Sequence, residues 1–155
     1  MDIQIKNLQR AIALNCPQIK KIVKAILKYQ RVKEATLSFV FVTNRTIKVL
    51  NKKFLGRSYE TDVLSFDLRD PSQRRSANKF VIGEIVISTE MAVKNAKVFG
   101  NDLRNEVALY ITHGILHLLG YDDHRSKEIK RMRARERMII KHLGNKIDKL
   151  ILNID

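Results

Sequence analysis

Three of the four histidines in this 155-residue chain fall between positions 113 and 124, in the run His113-Gly-Ile-Leu-His117-Leu-Leu-Gly120-Tyr-Asp-Asp123-His124. On a helix, residues i and i+4 share a face with Cβ atoms about 5–6 Å apart. Both imidazoles can therefore converge on one divalent ion. Gly120 suits a left-handed helix end, after which the chain can return Asp122, Asp123 or His124 toward the same ion. Structural zinc usually takes four protein ligands, whereas three leave a position open for chemistry. With a single cysteine, Cys16, no thiolate cluster competes for the role. One zinc ion is expected, although nickel, cobalt and manganese also accept imidazole and carboxylate ligands.

The ligands need a helix, and the pattern supplies one over about 103–119, with Asp102 as its N-cap. Further helices are expected over 17–30, after a Cys16 cap and Pro17; from Asn44 to about Phe54, stopped by Gly56; over 90–98 after Thr89; and from Ser126 to about Leu143. Leu37–Val42, Val63–Phe66 and Val81–Ile87 read as short strands. The polar stretch from Arg69 to Lys79 reads as a mobile loop. Helices and strands alternate without the rhythm of a doubly wound sheet. The expected fold is therefore one α+β domain over 1–155, with a small mixed sheet packed against helices.

Thirty Lys and Arg against sixteen Asp and Glu leave a net charge of +14 and a pI near 10.1. Such a surface attracts polyanions through steering and counterion release, and nucleic acid is the obvious class. The lone cysteine suits a reducing compartment. No apolar run reaches the length that spans a bilayer, and Met1–Lys6 lack a signal-peptide pattern. A cytoplasmic protein is expected.

The spacing His-x3-His-x2-Gly resembles the metzincin pattern, in which a Glu after the first His is the general base of a protease. Here that position is Gly114, which weakens a protease reading. The fuller run His113-Gly-Ile-Leu-His117-Leu-Leu-Gly-Tyr-Asp resembles the signature of the YbeY family of bacterial metallo-endoribonucleases. Thr61-Asp-Val-Leu-Ser-Phe66 and Gly83-Glu-Ile-Val-Ile-Ser88 resemble that family's strands beside the metal cleft. The likeness spans about residues 35–140.

The resemblance implies a zinc-dependent, single-strand-specific endoribonuclease. Its roles would be 3′-end maturation of small-subunit ribosomal RNA and ribosome quality control, with single-stranded and ribosomal RNA and the small subunit as partners. Two positions depart from the pattern. The family's third ligand is usually a His ten positions after the first, where this chain has Asp123, with His124 one later; the preserved spacing favours Asp123. The family's arginine before the glycine after the second helix is replaced by Leu55-Gly56, with Arg57 two positions on. Arg57 is the candidate to hold the scissile phosphate, and Lys52 and Lys53 are candidate RNA contacts. The alternative readings are a ribosome-binding assembly factor with a structural metal and, third, a metalloprotease.

Overall fold

The computed structural model describes residues 1–57, 61–74 and 80–153. Its elements are β1 (Asp2–Asn7), α1 (Cys16–Tyr29), β2 (Glu34–Val42), α2 (Asn44–Leu55), β3 (Val63–Asp67) and the short α3 (Pro71–Arg74). Then come β4 (Phe80–Ser88), α4 (Thr89–Phe99), α5 (Leu103–Leu118), α6 (Ser126–Leu143) and a 3-10 turn over Gly144–Lys149. The four strands form one mixed sheet in the order β1-β2-β4-β3. β1, β2 and β4 run parallel, and β3 lies antiparallel to β4 at the edge. The architecture is the expected α+β one.

β1 is an addition to the expected elements: Ile3 and Ile5 alternate with polar residues, and Ile3 is buried. Four helix starts shift by one residue. The capping side chains are Asn15, Thr43 and Ser88 rather than Cys16, Asn44 and Thr89, because the cap is the non-helical residue whose side chain receives a first-turn N–H. Ser126 is already helical, and Arg125 before it makes no side-chain cap. Asp102 caps α5 as expected, accepting the Arg104 backbone N–H at 2.8 Å.

The stretch after β3 also differs from a free loop. Arg69 is buried, with its guanidinium donating to Asp67 at 2.8 and 2.9 Å, to the Phe80 carbonyl at 3.0 Å and to the Leu118 carbonyl at 2.7 Å. A fully paired arginine can be buried because its donors are satisfied. Here it ties β3 and β4 to the last turn of α5. Residues 75–79, including Arg75 and Ser76, lie outside the described residues.

α5 is buried nearly all round, with Ile111 and Ile115 inaccessible. It approaches β4 closely at Gly114, where a Cβ would come within 2.6 Å of Ile85 Cγ2. The Ser65 hydroxyl on β3 donates to the Gly114 carbonyl at 3.0 Å. The residue that would be a general base in a protease thus faces a packed sheet.

A candidate metal centre in the groove between α5 and β3

α5 carries His113 and His117 one turn apart, and the turn after it decides what they meet. Gly120 adopts φ +92°. Its N–H donates to the His117 carbonyl at 3.1 Å, and the Tyr121 N–H reaches the Leu116 carbonyl at 3.0 Å. This paired C-terminal motif reverses the chain and returns Asp123 to the histidines. Donor atoms of His113, His117 and Asp123 lie within 4.8 Å of one another.

The two histidine Nε2 atoms are 3.0 Å apart, and Asp123 Oδ2 lies 3.7 Å from that of His113 and 3.4 Å from that of His117. Zinc bond lengths of about 2.0–2.1 Å in a tetrahedron require donor separations of about 3.3–3.4 Å. The triangle matches that size, and two imidazoles with a carboxylate are a suitable donor set, so these residues fit a divalent ion. His124 is placed differently: it is exposed, and its Nε2 pairs with Asp122 Oδ1 at 3.3 Å. Asp122 also accepts the Asp123 backbone N–H at 2.7 Å, a turn-forming contact.

Glu136, which sequence reasoning missed, completes the cluster from α6. Its Oε1 lies 2.7 Å from His113 Nδ1, so Nδ1–H donates to the carboxylate and Nε2 keeps its lone pair for a metal. The available signal was an acidic residue on the apolar face of α6, among buried Met132, Ile139 and Leu143. Glu106, in the first turn of α5, is also buried, and it accepts from Asn101 Nδ2 at 2.8 Å.

Burial works against charge on His113, but the hydrogen bond and charge of Glu136, with the charges of Asp62 and Asp123, together outweigh it and raise its pKa above 6.5. For His117 burial and the neighbouring His113 act together and lower it. The pair is thus electrostatically unequal before any metal arrives.

The three donors open on a groove of about 410 Å³. Its opposite wall comes from β3 and the end of α2, including Asp62, Ser65, Leu55 and Arg57. Gly56 ends α2 in a left-handed conformation, φ +67°, and Arg57 follows on the groove side. Lys52 and Lys53 are exposed on the last turn of α2 and do not line the groove.

The sequence profile of the family described as Endoribonuclease YbeY matches residues 4–144. Endoribonuclease YbeY of Syntrophus aciditrophicus is 35% identical over 122 residues, covering 79% of this chain and 76% of that protein. The protein of the same name from Carboxydothermus hydrogenoformans is 34% identical over 143 residues, covering 91% and 96%. The solution structure of TM1509 from Thermotoga maritima aligns with a TM-score of 0.63 at 26% identity, over 94% of this chain and 88% of that one. With a profile match running through the strands, the groove and the helix that carries His113 and His117, this chain belongs to the YbeY endoribonuclease family.

Proposed function

We propose that this chain is a zinc-dependent endoribonuclease that cleaves single-stranded RNA, acting in the cytoplasm in 3′-end maturation of small-subunit ribosomal RNA and in ribosome quality control. The carrying observation is the His113–His117–Asp123 donor triangle of tetrahedral size, open to a groove that also holds Arg57.

A divalent ion bound there supplies Lewis-acid polarisation of a phosphoryl oxygen and a more acidic water. Glu136 fixes the tautomer of His113 and aims its Nε2 at the ion site. Asp123 would hold the ion as the carboxylate member of the donor set and would moderate the acidity that an ion confers. Arg57 offers a planar fork of donors to the scissile phosphate and neutralises charge developing on it. Lys52 and Lys53, beside the groove rather than in it, draw the strand in by charge. Gly114 contributes no base, and no other carboxylate stands where a protease would carry one on α5.

The test combines metal content, RNA binding and cleavage of an unstructured RNA by the same protein and by His117→Ala. The expected result is loss of bound metal and of cleavage together, with RNA affinity largely retained. Metal-loaded protein that binds RNA but never cleaves it would instead identify an assembly factor.

A further inference from the structure

The arginines of α6 divide between two faces. Arg133 and Arg137 border α5, whereas Arg131 and Arg135, four apart, turn toward the end of α1. There they line a second groove of about 350 Å³ with Gln30, Arg31, Leu119 and Tyr121. No carboxylate lines it, and among the described residues none of the three arginines makes an ion pair.

The cations are held in place without being neutralised. The Arg131 guanidinium sits over the Tyr121 ring, 5.0 Å from its centroid, and that of Arg135 over Tyr29 at 4.8 Å. Arg135 Nε also donates to Gln30 Oε1 at 2.6 Å. Ring faces attract the charge while leaving N–H donors of the fork for an anion. Arg31 follows the Gln30 C-cap of α1 at φ +60°, with its N–H on the Lys28 carbonyl and the next N–H on Leu27. Glycine is the ordinary occupant of that position, so the chain retains a long cation where the backbone prefers none.

This groove and the candidate metal groove meet at one segment of chain. Tyr121 lines one and Asp122 the other, and consecutive Cα atoms are about 3.8 Å apart. We infer that Arg31, Arg131 and Arg135 form a phosphate subsite for the same RNA strand after it crosses the α5–α6 turn. The inference rests on the endoribonuclease reading and extends the substrate footprint beyond the nucleotides at the metal.

Binding of uncleavable 2′-O-methyl RNAs of about 4 and about 12 nucleotides, a span typical of single-strand sites, tests it by salt titration of the full metal-loaded protein. Arg31→Gly removes the cation and relieves the backbone, so its Tm should stay level or rise. Affinity for the longer RNA should fall about fivefold at 0.1 M salt, with the salt slope shallower by about 0.7, while the shorter RNA is unaffected. Arg131→Gln should do the same, and Lys20→Gln on the exposed face of α1 should change neither. An unchanged affinity for the longer RNA, an equal loss for both lengths, or a loss that tracks a fall in Tm would overturn the subsite. A wild-type protein that binds neither RNA would overturn the endoribonuclease reading along with it.

Discussion

Glu136 on α6 holds His113 on α5 through a 2.7 Å contact between Oε1 and Nδ1, joining residues 23 positions apart. Such a partner commonly sets metal affinity through the ligand it orients. Glu136→Ala is expected to weaken metal binding about 10- to 100-fold, read by competition with a chromophoric chelator. Glu136→Gln, which preserves an acceptor, should lose less. Equal, wild-type affinity in both variants would show that the contact does not prepare the ligand.

The returning turn separates Asp123 from His124 by their partners. Asp123→Ala should release the metal and abolish RNA cleavage, because its oxygen completes the donor triangle. His124→Ala, whose imidazole pairs with Asp122, should retain both. The reverse ranking in metal content would reassign the third ligand.

Arg57→Ala should leave metal content intact and lower kcat by about 10²–10³-fold, the usual scale for removing a preorganised charge donor. Arg57→Lys should recover part of it, since a point charge replaces a bidentate fork. A change confined to KM would make Arg57 a binding contact only.

Gly114→Ala presses a methyl into the branched Ile85 side chain at 2.6 Å in a fully buried interface. Overpacking of this kind costs about 1–3 kcal/mol, against a helical gain of about 1 kcal/mol. A lower Tm is expected, by about 2–4 °C per kcal/mol lost. Gly114→Glu should fold worse still and gain no peptidase activity. A Tm at or above wild type for Gly114→Ala would mean that α5 can move away from the sheet.

Asp102 contributes an acid-sensitive share of the stability of α5. Hydrogen bonds from the Arg104 side chain, then from its backbone, hold its carboxyl below the ordinary 3.8 despite some burial. Because the folded pKa is the lower one, the contribution is present above pH 3.8 and fades as pH falls through the folded value. Asp102→Asn keeps a capping side chain but loses the charge. Its Tm should lie below wild type at neutral pH and converge with it in acid; parallel curves down to pH 3 would remove Asp102 from the acid response.

Much of the candidate metal site was legible because its signals are local. An i, i+4 histidine pair shares a helix face, Gly120 suits the left-handed turn, and Asp102 suits a cap; each follows from backbone geometry within a few residues. The α+β class was legible in the irregular alternation of helix and strand patterns, which also arises from periodicity within each segment. The tertiary structure alone decided what depends on contacts distant in sequence. It chose Asp123 over His124 as the residue facing both histidines, brought Glu136 from α6 to His113, buried Arg69 against the Leu118 carbonyl, and set Arg57 rather than Lys52 or Lys53 in the groove. Periodicity specifies which face of a helix is apolar, but which polar side chain meets which across two helices is fixed by their packing, and that requires the whole core to be assembled.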